Sequence, residues 1–281
     1  MYNWRYHIAS LVAVFLALAL GLVLGGLVVR QGGFDSQQQA IVSGLQKDFA
    51  KLKRENTALR STLGLESAYS TQMTAAWTAN RLKGRGVLVI TSGAKNEGVS
   101  AASDAIKQAG GSAVVVTLSK PAFGLDDSAT AGVARSVVGS ATDLKTTVAS
   151  TLVSEWSQPD VPRPLTDALV KAGAISVSGL TASQAATQAV DLAAFGGTPD
   201  GLALDVVQNY ASQGMYALGA ETPASSTGVA AAAAARKLSA FDTLGSNAGD
   251  FTLVALFSGG QQGFYGTGTG AIAQFPPVPT P

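Results

Sequence analysis

The residues able to do chemistry are few and far apart. Cysteine is absent, the single histidine is His7, and methionine occurs only at Met1, Met73 and Met215. That inventory removes thiolate nucleophiles, disulfide frameworks, iron–sulfur clusters and cysteine-based zinc sites together. Copper(I) prefers sulfur ligands and copper(II) imidazole, and one chain cannot gather either set. With the only imidazole at residue 7, a Ser-His pair cannot be assembled beyond the first segment, and GSNAG at 245–249 is one residue out of frame for a nucleophile elbow. Neither a G-x-G-x-x-G nor a P-loop occurs. Asp191, Asp205 and Asp242 stand isolated, as helix caps and solvated carboxylates do. What remains is Thr91-Ser92-Gly93, a candidate ligand loop within TSGAKNEG, whose plainer reading is a tight strand-to-helix turn. No catalytic residue, metal ligand or cofactor is expected, and the chain is read as non-enzymatic.

The charge balance narrows the partners. Nineteen Lys+Arg stand against 18 Asp+Glu, and charged residues make up 13% of the 281, about half the usual share. A net charge of +1 gives nucleic acid no general attraction.

The first element that must position anything is a membrane anchor. Ile8 to Val29 carries no charge, and a helix of that length rises about 33 Å, enough for a hydrocarbon core of roughly 30 Å. Tyr2, Trp4 and Tyr6 form an aromatic belt, and Arg5 and Arg30 bracket the run. The apolar run exceeds a signal-peptide core and lacks an A-x-A-like cleavage site. The Arg count is nearly balanced, so orientation rests on the short first tail staying inside: the expectation is a single-pass cell-membrane protein, N-terminus cytoplasmic, with an extracytoplasmic C-terminal domain. Ala9, Ala13, Ala17, Gly21 and Gly25 recur every four residues. That spacing stacks small side chains on one face, where two helices can approach closely in lipid.

A coiled-coil stalk is expected next, over residues 31–80. Gly32-Gly33 reads as a break, and Ser36-Gln37-Gln38-Gln39 as a capping box opening a new helix. Placing Leu45, Leu52 and Leu59 at d puts Val42, Phe49, Asn56 and Leu63 at a, with Asn56 the one polar seam position, a residue known to fix register in parallel dimers. Asp48 and Glu55 fall at g, Lys53 and Arg60 at e. A parallel pair sets Asp48 against Lys53 and Glu55 against Arg60, whereas an antiparallel pair sets acid by acid and base by base. The alternative is one amphipathic helix packed on its own domain, which demands the apolar stripe but not Asn56 or the charge signs. A parallel homodimer is the expected assembly.

Residues 81–275 alternate strand and helix patterns. GVLVITSG, a helix over 97–109 and SAVVVTLS form one βαβ unit. Further strands are read at 174–178, 189–195, 214–220 and 237–241, with helices at 198–211 and 228–238. The fold class expected is α/β, a Rossmann-like or flavodoxin-like, mostly parallel three-layer domain. Residues 120–165 hold helices and loops left unplaced, and residues 276–281 close an extended proline-rich tail.

Several of these segments together resemble the actinobacterial MctB family of copper transport proteins. They are the anchor R-x-H-x-x-S-L-x-A-V-F-L-A-L-A-x-G-x-x-L-G at Arg5 to Gly25, the strand GVLVITSG, the turn Tyr265-Gly266-x-Gly268, and KLSAFDTLGS with Asp242 in the acidic position. The resemblance implies a cell-envelope protein of copper transport and homeostasis, so copper enters by resemblance alone. Other members look like parts of a membrane complex controlling septal peptidoglycan hydrolysis and cell separation. The expected role is a dimeric scaffold for an envelope protein partner rather than a pore, with a small-solute-binding sensor as the rival.

Overall fold

In the computed structural model the described residues are 4–30, 33–225 and 227–278. Tyr2 of the aromatic belt, Gly32 of the expected break and the last three residues of the tail lie outside them. The chain divides into two compact units, residues 1–67 and 68–281.

The first unit is helical. Helix α1 (Trp4–Arg30) contains one stretch, Trp4–Leu27, long and apolar enough to cross a membrane. Helix α2 (Gly33–Thr78) is continuous for 46 residues and ends inside the second unit. Because α2 already runs at Gly33, Ser36 lies within it and is not its N-cap.

The second unit is a mixed α/β domain. It runs β1 (Gly86–Thr91), α3 (Val99–Gln108), β2 (Ser112–Leu118), a 3₁₀ turn (Pro121–Gly124), α4 (Ser128–Val138), α5 (Leu144–Ser157) and α6 (Pro164–Lys171). Then come β3 (Ile175–Ser178), β4 (Gln188–Asp191), the short pair β5 (Ala194–Phe195) and β6 (Thr198–Pro199), and α7 (Gly201–Ser212). The chain closes with β7 (Tyr216–Ala220), α8 (Val229–Ala235), β8 (Ser239–Phe241), α9 (Asn247–Phe257) and β9 (Phe264–Tyr265).

Seven strands form one sheet in the order β3-β2-β1-β4-β7-β8-β9, all pairs parallel except β2 with β3. Every residue of β1 is buried, which is why GVLVIT reads as an unbroken apolar run. Its side chains alternate between two cores: Leu88 and Ile90 face α5, α6 and α7, while Val87 and Val89 face α3 and α9.

The unplaced stretch 120–165 folds as the 3₁₀ turn, two complete helices and the start of a third, each with a local start signal. Asp127 and Asp143 cap α4 and α5 by accepting from Ala129 N and Thr146 N, and α6 opens on Pro164. Buried Glu155 on α5 accepts from Leu165 N, Thr166 N and Thr166 Oγ1 at 2.6–2.8 Å, satisfying the free amides at the start of α6.

The strands read at 214–220 and 237–241 each begin two residues later than expected, and a third is broken in two. The strand read at 189–195 turns after Asp191, because Ala193 N folds back onto Asp191 Oδ1, and its remainder pairs as β5 with β6.

Candidate functional site

Strand β1 lies between β2 and β4, and the chain leaves this pair in opposite directions: β2 and β3 lie to one side, β7, β8 and β9 to the other. In open α/β sheets that switch point, at the carboxyl ends of the strands, is where ligands bind. The candidate loop Thr91-Ser92-Gly93 sits there, with Asp191 at the end of the neighbouring strand.

The loop's donors are already taken. Glu97, 2% exposed, turns its carboxylate back onto the strand end. Thr91 Oγ1 and Ser92 Oγ donate to its two oxygens, Ser92 N donates to Oε2 at 2.9 Å, and Ala194 N reaches Oε1 at 3.4 Å. Gly93, at φ +80°, donates its N–H to Thr91 Oγ1 at 2.9 Å. A side-chain carboxylate thus stands where a bound anion would meet these groups, and it bridges the loops after β1 and β4.

Asp191 is fully buried beside this cluster. Its Oδ1 accepts from Ala193 N at 2.9 Å, and Oδ2 has no hydrogen-bond partner. Desolvation pushes its carboxyl well above the usual range, and the negative charges of Asp200 and Glu97 push the same way, so the neutral acid is favoured. Asp200, 5% exposed, caps α7 by accepting from Ala203 N at 2.9 Å. Its other oxygen accepts from Ala122 N at 2.7 Å. Ala122 and Phe123 both have positive φ, +49° and +54°, a conformation that costs a non-glycine residue about 1–2 kcal/mol. A cleft of about 450 Å³ opens beside Asp200, walled by Pro121, Ala122, Lys145, Phe195 and Pro199.

Asp205 lies at the rim of the same cleft and pairs with Arg236 at 2.5 Å. Asp242 is held elsewhere, in a glycine cradle: Thr267 N and Gly268 N donate to its two oxygens at 2.9 and 2.5 Å. A Cβ on Gly266 would fall 1.6 Å from Asp242 Oδ1, and one on Gly268 2.6 Å from Oδ2. The Tyr265-Gly266-x-Gly268 turn and the acidic position of KLSAFDTLGS are therefore two halves of one structure. Among the described residues no group of three or more His, Asp or Glu converges to hold a metal ion.

The helical unit presents faces of a different kind. Val42, Leu45, Phe49, Leu52, Leu59 and Leu63 are 51–70% exposed, and the rest of this stretch of α2 is exposed apart from half-buried Gly44. Asn56 falls on the same stripe. Asp48, Lys53, Glu55 and Arg60 flank the stripe, all exposed; Glu55 also reaches Lys51 at 3.9 Å. On α1, Ala17, Gly21 and Gly25 line one shallow groove with Val14, Leu18 and Leu22, and nothing lies within 4 Å of where a Cβ would stand on either glycine. Ala13 is exposed on the same helix but does not line that groove.

Sequence reasoning missed Glu97 and Asp200. A lone acid in a turn carries no periodic signal, so nothing marked Glu97. Asp200 had one: T-P-D-G before an apolar helical run is an N-cap pattern.

Over residues 1–276 the chain matches the family profile described as "Copper transport outer membrane protein, MctB". It is 33% identical over 127 residues to proteins named "Copper transporter MctB" from Mycobacterium tuberculosis and Mycobacterium bovis. That alignment takes in 42% of this chain and 38% of each relative. No solved structure matches significantly.

Proposed function

This chain belongs to the MctB family of copper transport proteins, and we propose that it works there as a membrane-anchored, non-enzymatic scaffold, a parallel homodimer that holds a pair of α/β domains for an envelope protein partner. Copper is the cargo of the system, and this protein's share in moving it is indirect. The observation that carries the reading is the stripe on α2. Six large apolar side chains, interrupted once by Asn56, stand in solvent on a helix that follows an apolar span. Water penalises such a face unless a second surface covers it.

The occupant we propose is a second copy of the same helix. The pairs Asp48–Lys53 and Glu55–Arg60 are attractive only if the two copies are parallel. A shared membrane keeps the two strands at high effective concentration, which offsets the shortness of about three heptads. The groove of Ala17, Gly21 and Gly25 continues the pairing into lipid, with the N-terminus cytoplasmic and the α/β domain outside. The strand order around β1 and β4 supports a Rossmann-like three-layer domain. At its switch point Glu97 occupies the donors of the Thr91-Ser92-Gly93 loop, which favours a scaffold over a solute sensor.

The test is like-to-like disulfide formation in native membranes, using single cysteines at Leu45, Leu52 and Leu59 in a chain that has none of its own. Covalent dimers at all three are expected. Their absence, together with single copies by mass in mild detergent, would remove the proposal. Crosslinking and capture from intact membranes then separates a copper-efflux partner from one of peptidoglycan hydrolysis.

A further inference from the structure

The heptad count does not stop at Leu63. Continued along the unbroken helix α2, it places Tyr69 at g, Ser70 at a, Met73 at d and Thr74 at e. These last turns belong to the α/β unit, and there the helix meets α9. Thr74 Oγ1 donates to Asn247 O at 3.4 Å, Asn247 Nδ2 donates to Thr71 Oγ1 at 2.9 Å, and Trp77 packs on Phe251 with ring centroids 4.5 Å apart and the rings tilted by 49°. Phe275, from the C-terminal segment, packs edge-on against Phe251 at 6.3 Å. Between these groups lies a groove of about 270 Å³, walled by Ser70, Thr74, Asn247, Phe251, Phe275 and Val278.

Three features of the groove bear on what fills it. It is smaller than the roughly 300–1,000 Å³ of small-molecule clefts, so its scale is that of a side chain. Its walls are aromatic and aliphatic with hydroxyl and amide groups on one side, a surface that suits a ring carrying one polar tip. Two of its walls, Ser70 and Thr74, sit at a and e, the positions a second parallel strand approaches. The chain's own Tyr69 is not one of the walls and is 64% exposed.

In a parallel coiled coil, g of one strand faces the following e of the other. Asp48 faces Lys53 and Glu55 faces Arg60 by this rule, and it brings Tyr69 of one copy to Thr74 of the other. We propose that the groove is the socket for the second copy's Tyr69. The inference rests on the parallel-dimer reading and deepens it: each copy seats one ring against α9 and the C-terminal segment of the other, so the pairing extends from the stalk into the α/β domains and sets their rotation about the shared axis. Glu66 takes the d position after Leu63, and Met73, 47% exposed, takes the next d beside the socket.

The test uses the full chain in membranes, co-expressed as two differently tagged forms. One form carries Tyr69→Cys and the other Phe275→Cys, or Val278→Cys in a second experiment. A covalent heterodimer of the two tags is expected with a short thiol-to-thiol crosslinker, because two rings in contact hold their backbones farther apart than the roughly 4.4–6.8 Å between Cα atoms that a direct disulfide spans. Leu52→Cys in both forms is the control for the stalk. If Leu52→Cys joins like to like while position 69 never joins 275 or 278, the socket is wrong and the dimer stands; if Leu52→Cys also fails, both fall. As a second readout, Tyr69→Ala raises the dimer dissociation constant about 10- to 100-fold, two rings being lost per dimer, whereas Tyr69→Phe retains most of the affinity. Equal affinity for wild type and Tyr69→Ala would overturn the proposal.

Discussion

Replacing Gly266 with alanine puts a methyl group where the Asp242 carboxylate already stands. The Cβ would lie 1.6 Å from Oδ1, and the backbone there has φ +129°, which an L side chain rarely adopts. The backbone conformation alone costs about 1–3 kcal/mol in a residue with a Cβ. Relief of the clash requires Asp242 to move, which releases Thr267 N and Gly268 N from bonds to a charged acceptor worth about 1.5–3 kcal/mol each. Because the carboxylate can shift and recover part of this, the expected total is about 3–5 kcal/mol. In a unit spanning residues 68–281 that lowers the unfolding midpoint by about 6–20 °C, measurable by near-ultraviolet circular dichroism of the full chain in mild detergent. Asp242→Ala also destabilises, by orphaning the same two amides. In the double variant the clash is gone, so Gly266→Ala adds only its backbone cost of about 1–3 kcal/mol, and the cycle shows a coupling of about 2 kcal/mol or more. Strictly additive losses, or a Gly266→Ala protein as stable as wild type, would refute the claim that this turn exists to hold that carboxylate.

Reversing Lys53 and Arg60 to Glu creates four like-charge contacts per dimer and should weaken pairing by about 1–2 kcal/mol at low ionic strength, less in high salt; sedimentation in detergent at two salt concentrations reads both. Asn56→Ile should raise thermal stability and loosen the preference for two strands, and an unchanged midpoint would argue that position 56 is not in a seam. Glu97→Ala leaves two hydroxyls and the amides of Ser92 and Ala194 without their acceptor, an expected loss of about 3–5 kcal/mol by thermal unfolding. Asp250, like the fully buried Asp191, contributes to the pH dependence. Burial, with repulsion from Asp104 second, pushes its carboxyl up to about 6; the folded state therefore holds this proton more tightly than the unfolded state, and stability falls as pH rises from about 4 through about 6. Half-exposure screens the effect to about 1 kcal/mol, so Asp250→Asn should gain about 2–4 °C at pH near 7.5 and almost nothing near pH 4.5.

Much of the architecture was legible because burial on both sides leaves a plain signature. Strands β1 and β2 with helix α3 between them stand within two residues of where the apolar runs and glycine stops placed them. Strand β3 was found, but its antiparallel direction was not, because four residues at a sheet edge with alternating exposure pair equally well either way. Helices α4 and α5 escaped because Ser, Thr and Ala fill them, and their ends are set by aspartates at 127 and 143 that look like any loop acid. The loop at Thr91 was correctly located at a strand end, yet its occupant was invisible: that Glu97 folds back five and six residues onto Ser92 and Thr91 is a matter of chain path, not of spacing.

Asp200 fastens two otherwise separate parts with one carboxylate, a left-handed turn on one oxygen and a helix on the other. Like a hasp, it makes their positions interdependent, so one wall of the neighbouring hollow cannot be displaced without dragging the next. Sequence drift should accordingly be lopsided in this corner: glycine at 122 would relax the chain, whereas Phe123 is buried against Trp156 and cannot be traded that way, and nothing shorter or longer than aspartate at 200 would keep the two walls latched.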